Sequence, residues 1–236
     1  MEYIINALPT LLKGALTTIQ LTALAIFFGF IGGTLLGTAR LSKLWPVRLA
    51  TRAYIEFFRG TPLLVQIFWI YFGFPALFKT LGLGFTFDRW TAGVMALSLN
   101  SAAYIAEIVR GGIQSIERGQ WEAASSMGLN SLQTMRYIVL PQALRRMIPP
   151  LGNEFTTLIK DTSLVAVIGL EELFRRGQLT VATNFRAFEI YTAVGLIYLA
   201  LNLCFSQGFN WLERWADPNQ KRSEEHTSEL QSPVPI

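Results

Sequence analysis

The stretch GALTTIQLTALAIFFGFIGGTLLGTA, residues 14–39, decides the fold of this chain. None of its 26 residues carries a charge. A helix needs about 20 apolar residues to cross the hydrocarbon core of a bilayer, so this run predicts a membrane-spanning helix. Further charge-free runs occupy residues 60–78, 90–106 and 190–212. Only 15% of the 236 residues are charged, against about 25% in soluble domains, which favours an integral membrane protein over a soluble core.

The apolar runs predict an all-α membrane protein with about five spans, at residues 12–39, 54–78, 90–109, 150–170 and 190–212. The fourth span is the weakest, because Glu154, Lys160 and Asp161 interrupt it. Pro149 and Pro150 stand at its start, and proline suits the first turn of a helix. Arginine and lysine are concentrated in the first and third connections, a bias typical of cytoplasmic loops. We therefore expect an external N-terminus and a cytoplasmic C-terminus.

Glycine recurs at four-residue spacing in the first span, at Gly29, Gly33 and Gly37, with Gly32 beside them. A ridge without side chains lets a neighbouring helix approach closely in a membrane. We expect this ridge to pack against another helix of the same chain.

Several kinds of chemistry are not expected in this chain. The basic residues lie mainly in loops between apolar runs, which indicates membrane topology rather than nucleic-acid binding. No G-x-x-x-x-G-K-[ST] loop is present, so we expect no nucleotide or other cofactor on the chain itself. The one histidine, His226, lies in the polar tail 222–236, whose segment RSEEHTSELQS resembles a translated sequencing-adapter oligonucleotide. We expect that tail to be non-native or disordered, and we predict no metal site.

The third connection, about residues 111–149, is too long for a simple turn, and long ordered loops often carry function. Gly128 is a natural stop for a short helix that precedes it. Asn130 or Ser131 can cap a second helix, which we expect to run until Pro141 disturbs it. Two helices joined in this way predict a compact elbow on the cytoplasmic face.

Anchors at fixed spacing in this loop match the EAA motif of ABC-importer permeases: Glu122, Ala123, Ala124, Gly128, Ile138, Leu140 and Pro141. The stretches at residues 56–66, 103–113 and 152–164 resemble the polar amino acid subfamily of these permeases. The resemblance covers nearly all of residues 1–217 and implies the type I ABC-importer permease fold. It also implies that the motif residues dock on a separate ATPase subunit.

The resemblance implies the partners as well. The chain is expected to form a homodimer, or a heterodimer with a second permease, in a bacterial cytoplasmic membrane. ATPase subunits would hold the ATP and magnesium, and an extracytoplasmic binding protein would deliver the amino acid. The chain itself would then not be an enzyme.

Polar residues inside the spans are the candidates for substrate binding, because ionisable groups at that depth are costly and usually functional. Glu154, Thr157 and Asp161 are spaced i, i+3 and i+7, so they share one face of a helical fourth span, and Asn100 lies midway along the third. Either acid could hold the ammonium of an amino acid, while Asn100 and Thr157 could hold its other groups. Alternatively, Lys160 pairs with one of the acids and the role is structural.

Two other functions remain open from the residues alone. A stand-alone secondary carrier would often contain an internal repeat, and none is evident. A membrane enzyme or assembly factor would usually show a cluster of catalytic groups, yet the chain before its tail has no histidine.

Overall fold

The computed structural model describes residues 2–216, and all regular structure within them is helical. The suspected tail and His226 lie outside the described residues. The α-helices in chain order are α1 (Glu2–Ala39), α2 (Trp45–Gly60), α3 (Leu63–Phe68), α4 (Phe74–Thr80), α5 (Arg89–Gln114), α6 (Arg118–Ser126), α7 (Ser131–Gln133), α8 (Leu140–Asp161), α9 (Leu173–Asn184) and α10 (Ala187–Ala216). This all-helical architecture confirms the predicted fold class.

Helix α1 packs along α5 through the predicted glycine ridge. A Cβ atom built on Gly33 would lie 2.6 Å from Cβ of Ile105, and one built on Gly37 would lie 2.7 Å from the carbonyl oxygen of Ala106. Backbones can approach this closely only where no side chain intervenes. The prediction that the ridge packs within the subunit is therefore confirmed, and α1 begins about ten residues earlier than expected.

The second predicted span is wrong as one continuous helix. Helix α2 ends at Gly60, Thr61 and Pro62 adopt extended backbone, and α3 begins at Leu63. Pro62 disfavours helical backbone at Thr61 and has no N–H to donate, so the chain breaks here. From Leu63 the helix continues to Thr80 through one π-helical turn, Trp69–Gly73.

The fourth predicted span is shifted towards the N-terminus. Helix α8 ends at Asp161, and a 3₁₀ segment, Thr162–Ile168, leads to Gly169 in a left-handed conformation with φ of 76°. Pro149 and Pro150 lie inside α8 rather than at its start, which corrects that expectation.

Four helical segments among residues 2–216 are long and apolar enough to cross a membrane: Tyr3–Ala39, Leu63–Thr80, Arg89–Gln114 and Ala187–Arg214. Helix α8 is too polar for this group, because Glu154, Lys160 and Asp161 lie along it. It packs against α5 and α10, and its buried residues are Ala143, Met147, Gly152, Leu158 and Ile159. Glu154 and Asp161 lie half-buried beside this packed face, whereas Lys160 is exposed.

Candidate transport cavity and coupling loop

A cavity of about 390 Å³ opens where the broken second span meets α5 and α8. All four residues predicted to bind substrate line it, namely Asn100, Glu154, Thr157 and Asp161. They come from two helices far apart in sequence, and the Thr61–Pro62 break lines the same cavity. The structure thus brings the predicted set together, and we call this space the central cavity.

The two acids of the central cavity are not neutralised by the neighbouring lysine. Glu154 is half-buried, and its Oε1 accepts a hydrogen bond of 2.9 Å from the hydroxyl of buried Ser101. Lys160 is exposed, and within residues 2–216 it forms no ion pair with Glu154 or Asp161. The alternative that Lys160 pairs with one of them is therefore not observed.

Arg59 supplies a positive charge to the lining of the same cavity. Its guanidinium lies 5.2 Å from the ring centre of Tyr104, a distance typical of a cation–π contact. It is also 3.9 Å from Oε2 of Glu107, the outer limit of an ion pair. The central cavity therefore offers groups of both signs, as a zwitterionic solute requires.

Asn100 has a structural task besides lining the cavity. Gln66, which is 1% exposed, donates from Nε2 to the carbonyl oxygens of Phe58 and Thr61 at 2.8 and 3.0 Å. The side-chain nitrogen of Gln66 is used at the broken helix end, so its Oε1 is left to accept a hydrogen bond. The donor is Nδ2 of Asn100, at 3.0 Å. The two side-chain amides stabilise the break. Of their four polar atoms, Oδ1 of Asn100 is the one with no hydrogen bond from the described residues.

Glu107 joins several elements at one end of α5. It pairs with Arg110, three residues later on the same helix, at 2.7 Å, and Arg40 lies 2.6 Å from the other carboxylate oxygen. The cluster therefore also fixes the connection after α1.

The loop between α5 and α8 contains the predicted pair of helices. Helix α6 ends at Ser126, and Gly128 follows with φ of 79°, a left-handed conformation that favours glycine. Asn130 caps the second helix. Its Oδ1 accepts from the backbone N–H of Gln133 at 3.0 Å, and Oε1 of Gln133 accepts from the backbone N–H of Asn130 at 2.9 Å. This capping box confirms the predicted helix start.

Pro141 does not end the second helix, so that part of the predicted elbow is wrong. A π-helical turn, Thr134–Val139, follows α7, and Pro141 falls in the first turn of α8. Because helical backbone already precedes it, the missing N–H of Pro141 removes one internal hydrogen bond without ending the helix. Helical backbone therefore continues from Ser131 to Asp161, roughly 45 Å at 1.5 Å per residue, and joins the loop directly to the central cavity.

The motif residues differ in exposure. Glu122, Ala123, Gly128 and Pro141 are exposed, and Ile138 and Leu140 are half-buried. Ala124 is only 3% exposed and packs inside the loop. Large apolar side chains outside the motif are exposed here instead, at Met127, Leu132 and Tyr137.

The family model described as "Binding-protein-dependent transport system inner membrane component" matches residues 25–218. The chain belongs to this family. The match includes the central cavity and the whole loop between α5 and α8. Membership confirms a membrane component of a transport system and gives no support to a lone carrier or a membrane enzyme.

Relatives match the permease over nearly its full length. The glutamine transport system permease protein GlnP of Escherichia coli (strain K12) is 45% identical over 208 residues, which are 88% of this chain and 93% of that protein. The L-cystine transport system permease protein TcyL of Bacillus subtilis (strain 168) is 37% identical over 94% of this chain and 93% of its own length.

Solved structures agree with the permease fold. A crystal structure of an amino acid ABC transporter with histidines superposes with a TM-score of 0.83 at 38% identity, covering 89% of this chain and 95% of that chain. The MetNI methionine ABC transporter superposes with a TM-score of 0.70 at 22% identity over 89% of this chain, which shows the shared fold alone.

Two cavity residues of the permease were missed from sequence. Arg59 is assigned to no site in the sequence analysis, although a charge next to a predicted apolar run is itself a signal of function. Gln66 gave only the weak signal of an amide within a span, since its task depends on the break at Pro62.

Proposed function

We propose that this permease carries polar amino acids through the central cavity and takes its driving force from a separate ATPase. The observation that carries the proposal is the meeting of Glu154, Asp161 and Arg59 in one cavity of about 390 Å³. Small-molecule sites usually occupy roughly 300–1,000 Å³ and contain a few convergent polar groups.

The charges of the cavity suit an α-amino acid. A carboxylate such as Glu154 or Asp161 can hold the ammonium, because charged groups removed from water need an opposite charge. Arg59 can hold the carboxylate with its two parallel N–H groups, and Thr157 adds a hydroxyl to the same wall. Oδ1 of Asn100 can accept from the ammonium, since Nδ2 is already used by Gln66.

Similar proteins support an amino acid as cargo. The relatives with 45% and 37% identity are named for glutamine and L-cystine transport, and the structural neighbour at 38% identity is an amino acid transporter. These solutes share the ammonium and carboxylate and differ in the side chain. The ammonium and carboxylate that these solutes share are therefore the groups that the charged residues of the central cavity would bind.

The loop between α5 and α8 is the proposed contact with the ATPase. Exposed Glu122, Ala123 and Gly128 border apolar side chains of Met127 and Leu132, and such a mixed surface is typical of a protein interface. ATP and magnesium would bind to the ATPase, and this chain would hold no cofactor. A second permease subunit, identical or different, and an extracytoplasmic binding protein would complete an importer in the cytoplasmic membrane, with the N-terminus outside.

Uptake into proteoliposomes by the reconstituted complex tests the cavity. Glu154→Gln and Asp161→Asn keep the side-chain volumes and remove one charge each. A hydrogen bond to a charged group contributes about 1.5–3 kcal/mol, so we expect roughly 10- to 100-fold weaker uptake at limiting substrate. The matched control is Glu189→Gln, which removes a partly exposed carboxylate paired with Arg186 at 3.6 Å, away from the cavity.

The outcomes separate function from folding. Reduced uptake with an unchanged amount of assembled complex, and normal uptake by the Glu189 variant, support the proposal. Unchanged rates and unchanged ranking of amino acids in both cavity variants would refute a binding role for these acids.

A further inference from the structure

A second cavity, of about 370 Å³, lies where α1 ends, α2 begins and α5 ends. We call it the arginine cavity, because Arg40, Arg48, Arg52 and Arg110 line it. Two of them come from α2, one from α5 and one from the connection directly after α1. It shares no lining residue with the central cavity, so the transport site does not account for it.

Positive charge exceeds negative charge around the arginine cavity. Arg40 and Arg110 share the single carboxylate of Glu107, at 2.6 and 2.7 Å. Arg52 pairs with the exposed carboxylate of Glu56 at 2.6 Å. Arg48 forms no ion pair with any acid among residues 2–216. Four arginines thus face two carboxylates, and an anionic ligand would offset the excess.

Apolar side chains stand beside this charge. Leu44, Trp45 and Leu49 are 64%, 63% and 48% exposed, and the last two also line the cavity. Helix α1 carries no charge from residue 14 to its end at Ala39, and Arg40 follows directly, so the cavity lies at the end of an apolar span. Tryptophan is enriched at that depth, where the bilayer meets water. A ligand that fits both features has an anionic head and an apolar body.

We propose that the arginine cavity binds the phosphate headgroup of an anionic phospholipid, with its acyl chains along Leu44, Trp45 and Leu49. Guanidinium groups bind phosphate oxygens through paired N–H donors, and basic pockets between membrane helices bind lipid headgroups in this way. A soluble phosphate would use the same arginines and would leave the apolar rim without a partner. The exposed rim therefore favours the lipid.

Quenching of tryptophan fluorescence tests the proposal on the full permease in nanodiscs. Brominated phosphatidylglycerol is titrated into phosphatidylcholine discs, and brominated phosphatidylcholine is titrated in parallel. Trp45→Phe identifies the part of the signal that comes from Trp45, since the chain has six tryptophans. We expect stronger quenching of Trp45 by the anionic lipid at equal mole fraction.

The double variant Arg48→Gln with Arg52→Gln removes two largely exposed cations while leaving the Glu107 cluster intact. Each basic residue near an anionic surface strengthens binding about 5-fold, so the variant should need roughly 25-fold more phosphatidylglycerol for half-maximal quenching. Arg118→Gln with Arg145→Gln removes the same charge at exposed sites outside the cavity and should leave the titration unchanged. Circular dichroism checks that each variant is folded.

Several results would overturn the proposal. These are equal quenching by the two lipids, an unchanged titration in the Arg48 and Arg52 variant, or an equal loss in the control variant. Adding millimolar inorganic phosphate distinguishes a lipid headgroup from a soluble phosphate as the ligand. If phosphate changes Trp45 fluorescence in phosphatidylcholine discs and abolishes the lipid effect, the site binds a soluble anion instead.

Discussion

Replacing Gly33 by alanine should force α1 and α5 apart. The added Cβ atom would lie 2.6 Å from Cβ of Ile105 and 2.9 Å from the carbonyl oxygen of Ala102. An ordinary contact between such atoms begins near 3.4 Å, so the helices must separate by about 0.8 Å. Neither neighbour can rotate away, because one is backbone and the other is bonded directly to it.

The magnitude follows from the lost packing. A gap of 0.5–1 Å removes about a quarter to a half of the dispersion energy at each contact. Overpacked sites typically lose about 1–3 kcal/mol, and alanine returns up to about 1 kcal/mol through its higher helix propensity. The net loss should be about 1–2 kcal/mol, which in a protein of this size lowers the melting temperature by roughly 2–8 °C.

Gly32→Ala is the matched control, since it is the same substitution one residue away. Its added Cβ would meet only Cβ of Ala102, at an ordinary distance of 3.4 Å. Thermal unfolding of both variants in one detergent, followed by circular dichroism, gives the comparison. If Gly33→Ala is as stable as Gly32→Ala, the proposed close approach of the helices does not stabilise the fold.

Three further predictions concern the break and the loop. Gln66→Leu leaves the carbonyl of Thr61 without its buried donor, and we expect the free energy of unfolding to fall by about 1–3 kcal/mol in thermal unfolding. A loss below about 0.5 kcal/mol, as for an ordinary surface substitution, would contradict a stabilising role of Gln66 at the break. Gly128→Ala places a Cβ at φ of 79° and should lower stability by about 1–2 kcal/mol, whereas Gly128→Asn should cost less; equal losses would argue against the left-handed turn. Glu122→Ala should reduce the ATPase that co-purifies, while the exposed control Glu117→Ala should not; parallel behaviour would remove Glu122 from the interface.

Local signals predicted the fold well wherever one segment decides its own structure. Helix α5 begins one residue before the charge-free run 90–106, although it continues eight residues beyond that run, past Glu107 and Arg110. Gly128 and Asn130 were predicted for the same reason, since a left-handed turn and a capping box need only residues within four positions. The glycine ridge predicted close packing against another helix of the chain, and in the structure that helix is α5.

Features that depend on a distant partner were not predictable in this way. The break at Thr61–Pro62 could be suspected from proline, yet its stability depends on Gln66 and on Asn100, which is 34 residues beyond Gln66. The four polar cavity residues were predicted as a set, but the contribution of Arg59 appears only when α2 ends beside α8. Sequence periodicity describes a single helix and contains no information on which faces meet.

The π turn and Pro141 change how force would pass from an ATPase to the central cavity. Because helical backbone runs from the loop to Asp161, displacement of the loop end would move Glu154 with it. The weakest part of that path is at Pro149 and Pro150, which cannot bond the carbonyls four residues earlier. Helix α8 packs closely on both neighbours: a Cβ built on Gly152 would lie 3.2 Å from the ring of Phe209 in α10, and one built on Gly112 of α5 would lie 2.5 Å from Met147 of α8. The 2.9 Å bond between Ser101 of α5 and Glu154 of α8 joins α5 to the moving helix, so a displacement of α8 relative to α5 would strain it.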